Sequence, residues 1–230
     1  MRQDVLAVIP AYNEADHIGE VVGRTRAHLP VLVVDDGSAD ATASLAEAAG
    51  AEALRQVPNQ GKGAALRAGF RRALETGAAA VIMLDADGQH DPDEIAAFLA
   101  AFDNAHADLI IGERDYRRMP RLRRTTNTIG RWMLHWAMGR PIPDNQSGYR
   151  LISRRLLEAL LTSSETGFQF EVEMIPTCIL AGYTLAWVPI RTIYAGEKSH
   201  IQPLNHLVHF FRIVWQTRQR MQKKPLKSAQ

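Results

Sequence analysis

Carboxylates gather at three points of the chain, and each point follows a short apolar run. Asp85-Ala86-Asp87-Gly88-Gln89-His90 follows residues 81–84, Asp35-Asp36-Gly37-Ser38 ends the β-branched run 31–35, and Pro10-Ala11-Tyr12-Asn13-Glu14 closes the run 5–10. If residues 85–87 are extended, alternate side chains share a face and Asp85 and Asp87 point the same way. Carboxylates so clustered repel one another unless a cation neutralises them, and their oxygens suit Mg²⁺ or Mn²⁺. Such ions bind through one or two carboxylates together with the phosphates of a ligand. A lone Asp-x-Asp is equally an ordinary capped turn, but three acidic strand ends in one chain form a more specific pattern. Gly61-Lys62-Gly63 lacks both the glycine five residues earlier and the hydroxyl residue after Lys62 that a Walker phosphate loop requires, and Leu66 stands at the third glycine position of a dinucleotide fingerprint. It reads as a loop opening a helix. His90 reads as a metal ligand or as a turn-capping group. Cys178, in an apolar helical pattern, reads as an inert core residue.

These groups need a scaffold that brings strand ends together. The first half of the chain alternates strand and helix. Apolar runs at 5–10, 31–35, 81–84 and 109–111, with a weaker one at 53–57, predict strands. Between them, Asn13 is a candidate cap for a helix carrying Ile18, Val21 and Val22 inward, a second helix stops at Gly50, a third spans about 61–76, and Pro92 opens a fourth that runs through Phe102. This alternation predicts an α/β fold with a mostly parallel central sheet flanked by helices, and a ligand beyond the carboxyl ends of the strands. After Gly112 residues 113–128 are polar, Arg-rich and without clear period, and they predict a mobile loop. Helices are expected at about 129–139, 153–162 and 170–181, a strand at 184–189, and a last helix from about Pro203. Two units are expected: a catalytic domain over 1–202 and a basic amphipathic helix and tail over 203–230.

Composition narrows the class. Hydrophobic residues make up 46% and charged residues 23% of the 230, values that exclude a disordered chain, a collagen and a coiled coil. A single cysteine excludes a disulfide within the chain and a cysteine-based zinc cluster. With no leader-like opening and no uncharged apolar run of about 18–20 residues, the expectation is a cytoplasmic protein without a membrane span of its own. The net charge of +2 conceals an asymmetry: residues 1–190 hold 19 Lys/Arg against 24 Asp/Glu, and residues 191–230 hold 8 against 1. Seven Arg lie within 112–131. Basic patches on an acidic body call for an anionic partner, a phosphate or a membrane surface, although a solvated tail and a polar loop have the same composition. In the tail, Leu204, Leu207, Val208, Phe211, Val214 and Trp215 form one apolar helical stripe with Arg212, Arg218, Arg220, Lys223 and Lys224 off it. Such a helix docks on its own domain or lies in a membrane interface.

Taken jointly, Ile9-Pro10-Ala11-Tyr12-Asn13-Glu14, Val34-Asp35-Asp36-Gly37-Ser38, Asn59-Gln60-Gly61-Lys62-Gly63 and Asp85-Ala86-Asp87-Gly88-Gln89-His90 resemble, in order and spacing, the motifs of family 2 glycosyltransferases. Gly112-Glu113-Arg114, Asp144 through Arg150, Phe170-Glu171-Val172-Glu173-Met174 and 194–201 extend the resemblance toward the dolichol- and polyprenol-phosphate sugar transferases, over about 200 residues. The resemblance implies a GT-A fold, a UDP- or GDP-linked sugar donor, Mg²⁺ or Mn²⁺, inversion at the anomeric carbon and a polyprenyl-phosphate acceptor reached through peripheral contact at the inner face of the cytoplasmic membrane; nucleic acid is not an expected partner. It assigns Pro10, Tyr12, Glu14 and Asp36 to the nucleoside pocket. Asp85, Ala86 and Asp87 fall at the diphosphate and metal site, with Gln89 as an extra metal ligand, and Arg114 helps hold the donor. Lys198 falls where a cationic residue lies near the diphosphate. The segment Ala195-Gly196-Glu197-Lys198-Ser199-His200 fits only part of the Gly-Glu-Ser-Lys form, and Asn205 stands where many relatives have Asp. Arg131-Trp132 resembles the Gln-x-x-Arg-Trp of processive synthases with Thr128 in place of the Gln, which implies transfer of a single sugar.

The chemistry agrees with these assignments. Cleaving a sugar–phosphate bond leaves a diphosphate of growing negative charge, which a divalent ion stabilises as a Lewis acid and which Arg114 and Lys198 stabilise as fixed cations. A lipid phosphate is already anionic near neutral pH and needs no strong base. The arginines at 117, 118, 123, 124 and 131 are candidate phosphate contacts, Arg131 foremost because it begins an ordered helix. A hydroxyl acceptor would need a base, for which Asp144 and Glu173 are candidates. That hydroxyl acceptor, on a glycolipid or soluble glycan, and a sugar-nucleotide binding module without catalysis are the alternative readings.

Overall fold

A computed structural model of the chain describes residues 2–115, 121–162, 169–191, 212 and 214–222, with side chains at all of these except 121–127 and 169. Its seven strands are β1 (Val5–Ala11), β2 (Val31–Asp35), β3 (Glu52–Arg55), β4 (Ala80–Met83), β5 (Leu109–Arg114), β6 (Arg150–Ser153) and β7 (Leu185–Ile190). They form one sheet in the order β3-β2-β1-β4-β6-β5-β7. β2 and β4 carry unbroken apolar runs that are buried on both faces, as parallel strands covered on two sides must be. Only β6 is antiparallel to its neighbours, β4 and β5.

Helices cover both faces. α1 (Ile18–Arg26), α2 (Thr42–Ala48) and α4 (Ile95–Ala105) put Ile18, Val22, Ala46, Ile95 and Phe98 against one face of the sheet. On the other face lie α3 (Lys62–Glu75), α5 (Arg121–Met138), α6 (Arg154–Leu161) and α7 (Gln169–Ala181), which contribute Leu66, Phe70, Leu134, Leu156 and Phe170 among others. Successive residues of one strand serve opposite cores: Val8 faces α3, whereas Ala7 and Ile9 face α1. Cys178 is buried in the α7 layer, and burial pushes its thiol up to about 12, which fits an inert core residue.

Four expectations change. Asn13 does not cap α1; His17 holds that position, and Asn13 sits in the left-handed region at φ 55°, where its Oδ1 accepts the Ala39 N–H at 2.9 Å. Pro92 opens a short 3-10 turn, Pro92–Glu94, with α4 following it. β6 has no counterpart in the sequence reading. The segment 113–128 is not one loop: β5 runs on to Arg114 and α5 starts at Arg121, eight residues before the expected helix. Arg and Leu have high intrinsic helix propensity, so an arginine run winds without an apolar stripe to announce it. Residues 116–120, and with them Arg117 and Arg118, lie outside the described set.

Because β6 alone runs backwards, the C-terminal ends of β1, β2, β4, β5 and β7 and the N-terminal end of β6 share one sheet edge. The chain winds outward through β2 and β3 and returns to β4 on the far side of β1, which makes the end of β1 and β4 the topological switch point where such sheets bind ligands.

Candidate active site

At that switch point lies a cleft of about 560 Å³ lined by Pro10, Ala11, Tyr12, Glu14, Asp36, Asn59, Gly61, Lys62, Ala65, Asp85, Ala86 and Asp87. Seven of the residues assigned from the sequence therefore share one cavity: Pro10, Tyr12, Glu14, Asp36, Asp85, Ala86 and Asp87. The ends of β1 and β2 supply one wall and the residues after β4 the floor. Tyr12 is 51% exposed, leaving an aromatic face at the mouth.

Each group is held by its local backbone. Asp36 does not face an open pocket with its carboxylate: Oδ1 accepts the Gln60 N–H at 2.8 Å and Oδ2 the Gly61 N–H at 2.7 Å, while Asn59 Nδ2 donates to the Asp36 carbonyl at 2.9 Å. Asp36 thereby clamps the loop that leads into α3. Gly61 closes that loop at φ 91°, a left-handed geometry that disfavours any side chain. The next residue, Lys62, begins α3 and reaches across the cleft. Its Nζ lies 2.5 Å from Asp85 Oδ1 and 3.3 Å from Glu171 Oε2. Burial opposes the Lys62 charge, but Asp85 and Glu171 outweigh it and raise its pKa. In the same way burial pushes the Asp85 carboxyl up, and Lys62 holds it well below the usual carboxylate range.

Asp87 Oδ1 accepts the Gln89 N–H at 3.0 Å. Gln89 is half-buried and is not among the residues lining the cleft. His90 Nδ1 accepts the Asp85 N–H at 3.0 Å, and the ring stacks on Tyr149 with centroids 5.0 Å apart. Burial lowers its pKa. This is the turn-capping role of the two considered for His90.

Beside the cleft, Arg114 and Asp144 bind each other. Arg114 Nε donates to Asp144 Oδ2 at 2.7 Å and Nη2 to Oδ1 at 2.9 Å, a bidentate fork, and the Asp144 carboxylate is fully buried. Oδ1 also accepts the Gln146 N–H at 2.9 Å. Burial would raise the Asp144 pKa, but the Arg114 hydrogen bonds prevail and lower it. A buried, paired carboxylate with a lowered pKa is a poor base, which bears directly on its candidacy for a hydroxyl acceptor. Arg150 is the buried cation behind the site: Nε donates to the Ser147 carbonyl at 2.8 Å, Nη1 to the Glu171 carbonyl and Nη2 to the Asn145 carbonyl at 3.2 Å. These bonds fix the turn 144–149 and the start of α7 together.

A second cavity, of about 450 Å³, is lined by Thr128, Arg131, Trp132, His135, Pro141, Ile142 and Pro143. Arg131 belongs here and not in the first cleft. The two sites are linked by a short stretch of chain: Pro143 lines the second cavity, and Gly148 lies against Asp85. Five residue steps span at most about 18 Å when fully extended. Glu173 lies in the first turns of α7, half-buried, and lines neither cavity. Lys198 lies outside the described residues, as does Asn205.

Among the described residues no three or more His, Cys, Asp or Glu side chains converge as a ready-made metal site. The residues nevertheless fit a divalent ion held partly by a ligand. Asp85 and Asp87 offer hard oxygen donors on the cleft floor, and a Cβ added to Gly148 would stand 2.9 Å from Asp85 Oδ2, so a larger residue there would require that carboxylate to shift.

Sequence reasoning missed Lys62 and Asn59 as cleft residues and Glu171 as the second partner of Lys62. Lys62 did carry a signal, a cation at a glycine-flanked helix start. Its contact with the end of β4 arises only from the fold.

Comparison with known proteins bears on the family. The model of "Glycosyl transferase family 2" matches residues 6–161. A polyprenol monophosphomannose synthase of Mycolicibacterium smegmatis is 35% identical over 209 residues, covering 82% of this chain and 77% of that protein. An undecaprenyl-phosphate mannosyltransferase of Micrococcus luteus is 35% identical over 207 residues, covering 82% and 83%. Among solved structures, glucosyl-3-phosphoglycerate synthase from Mycobacterium tuberculosis, in complex with Mn²⁺, UDP and glucosyl-3-phosphoglycerate, superposes with a TM-score of 0.68 at 22% identity, covering 93% of this chain and 77% of that one. The fold is thus GT-A-like, with the cleft where its sheet order reverses. A family model that spans more than half the chain, and relatives at 35% identity over most of it, make the chain a glycosyltransferase that belongs to glycosyl transferase family 2.

Proposed function

We propose that this glycosyltransferase moves a single sugar from a UDP- or GDP-linked donor to the phosphate of a polyprenyl phosphate, inverting the anomeric carbon, with Mg²⁺ or Mn²⁺ at Asp85 and Asp87. One observation carries the reading: a cleft floored by two carboxylates and Lys62 is joined by six residues, 143–148, to a separate cavity holding Arg131. The names of the relatives support the same acceptor class, since both are named for sugar transfer to a polyprenyl lipid, and the solved neighbour's Mn²⁺ and UDP support the metal and the donor.

In this reading the nucleoside lies along Tyr12 and Glu14, with Asp36 holding the wall formed by the loop 59–61. The diphosphate lies over Asp85 and Asp87, where a divalent ion would supply Lewis-acid stabilisation of the leaving group. Lys62 adds a fixed positive charge on the same floor. Arg131 positions the acceptor phosphate, using the paired donors of its planar fork. The acceptor is already ionised, so no side chain has to remove a proton, and the pairing of Asp144 with Arg114 is then no obstacle: the two brace the turn between donor and acceptor sites. The acceptor resides in a membrane, so the enzyme works at the membrane surface. Among the described residues no helix is long and apolar enough to cross one.

The test compares acceptors. Purified protein with donor and Mn²⁺ should transfer sugar to a short-chain polyprenyl phosphate and not to the matching alcohol. Transfer to the alcohol alone would promote the hydroxyl acceptor, and donor binding without turnover on either would promote the non-catalytic module.

A further inference from the structure

Seven large apolar side chains are exposed among the described residues, and four of them gather in one place. Ile129, Trp132 and Trp136, at 54%, 67% and 44% exposure, stand on one face of α5 at the i, i+3, i+7 spacing of a helical stripe. The opposite face of α5 buries Leu134, Ala137 and Met138 in the core, so the outer stripe is surplus to folding. The helical segment 214–222 adds the fourth, Trp215, at 61% exposure. This segment docks on the domain: Val214 and Thr217 are buried, Arg218 Nη1 donates to the Trp136 carbonyl at 3.2 Å, and its guanidinium lies 5.1 Å from the centre of the Trp136 ring. Trp215 lies one turn before Arg218, on the segment that Arg218 ties to Trp136. The tail stripe expected from the sequence is therefore divided, Val214 inward and Trp215 outward.

Among the described side chains, the charge on these two segments has one sign. Residues 128–143 hold Arg131 and Arg140, and residues 212 and 214–222 hold Arg212, Arg218 and Arg220, with no Asp or Glu in either. Arg140, Arg212 and Arg220 are exposed at the rim. Tryptophan rings bordered by basic residues match the headgroup layer of an anionic bilayer, where the indole has an apolar body to bury and an N–H to keep wet.

We propose that the outer face of α5 and Trp215 form the surface on which the protein rests on an anionic lipid bilayer. Trp132 belongs both to this surface and to the wall of the Arg131 cavity, so the cavity opens at headgroup level. This deepens the lipid-phosphate reading and rests on it in one respect: a polyprenyl phosphate whose phosphate sits among headgroups would reach Arg131 without its chain leaving the bilayer.

The test uses the full chain and vesicles of phosphatidylglycerol and phosphatidylcholine in equal parts. The wild type should co-sediment with them at low salt, and brominated acyl chains should quench its tryptophan fluorescence. A double variant, Ile129→Ser with Trp215→Ser, should bind the vesicles at least about tenfold more weakly, since two inserted apolar side chains are lost, while binding nucleoside diphosphate as the wild type does. Equal vesicle binding by both proteins, or no quenching, overturns the proposal. So does a dimer that the double variant abolishes with no binding to vesicles, because the face would then belong to a second copy. Vesicle binding without sugar transfer to polyprenyl phosphate leaves the surface standing and removes the acceptor reading. Transfer to a water-soluble short-chain acceptor without vesicle binding does the reverse.

Discussion

At the scale of single residues, the cleft is organised around a cation that the chain itself supplies. Lys62 bridges Asp85 and Glu171, and Glu171 Oε1 has no hydrogen-bond partner among the described residues. Two carboxylates this close would repel each other without the ammonium between them. In the proposed reaction Asp85 would be shared with the metal and Lys62 would turn to the diphosphate. Lys62→Met should therefore have opposite effects on the two partners. Nucleoside diphosphate in Mn²⁺ should bind at least about tenfold more weakly, the loss expected for one hydrogen bond to a charged group, whereas Mn²⁺ alone should bind no more weakly than to the wild type. Asp87→Ala should weaken both, the diphosphate by at least about 2 kcal/mol. Calorimetry with each titrant checks this; a Lys62→Met protein that loses Mn²⁺ along with the nucleotide would show that Lys62 only maintains the fold. The convergence of the acidic strand ends was legible in the sequence, because each follows an apolar run directly and parallel strands bring such ends to one sheet edge. Lys62 was not, because a lysine in a glycine-flanked turn looks the same whether it faces solvent or reaches across a cleft. Asn13 misled for a related reason: its side chain serves as readily in a left-handed turn as at a helix cap.

At the scale of elements, what escaped the sequence was short or polar. β6 has four residues and leads straight into α6, so neither its period nor its direction shows. The first two turns of α5 are rich in arginine, and no apolar stripe marks them. Both matter to the site. The reversed β6 brings the turn 144–149 to the carboxyl edge, where the Arg114–Asp144 fork and the three Arg150 bonds hold it and Gly148 packs on Asp85. Gly148→Ala tests whether that turn positions the carboxylate. Gly148 has no positive φ, so an alanine there meets only the 2.9 Å approach to Asp85 Oδ2. The variant should fold with a melting temperature within a few degrees of the wild type, because the obstacle is one side chain at a cleft and not the packed core. Its Mn²⁺-dependent nucleotide affinity should fall by at least about tenfold, as expected when a charged ligand is displaced. Unchanged affinity would mean that Asp85 yields at no cost and that the turn does not set its place.

At the scale of the whole molecule, the parallel α/β core was legible from alternating strand and helix patterns, but the joining of its second half was not. Beyond β4, the strands β6, β5 and β7 are tied together at the edge opposite the cleft by Asp108. This residue is 2% exposed; it accepts Ser153 Oγ at 2.8 Å and the Thr184 N–H at 2.9 Å, and it pairs with Arg155. One carboxylate thus joins the approach to β5, the junction of β6 with α6 and the approach to β7. Nothing in the sequence marks Asp108, because its partners lie 45 to 76 residues away. Burial works to raise its pKa, and the hydrogen bonds from Arg155, Thr184 and Ser153 together lower it. A carboxyl whose folded pKa lies below its unfolded value of about 3.9 stabilises the protein fully above that value, and the stabilisation is lost as pH falls through the folded pKa. Asp108→Asn removes the charge but keeps the shape. It should cost about 1–3 kcal/mol at pH 7, with the Arg155 share small because that side chain is largely in solvent. The gap between wild type and variant should then begin to narrow below about pH 4, where the carboxyl protonates in the unfolded wild type, and go on narrowing until the folded carboxyl protonates too. Urea unfolding at pH 7, 5, 4 and 3 measures the gap, and nucleotide binding at pH 7 should be equal in the two proteins, since Asp108 is on the far edge from the cleft. A gap that stays constant down to pH 3 would show that Asp108 joins the strands by shape and hydrogen bonding alone, without its charge.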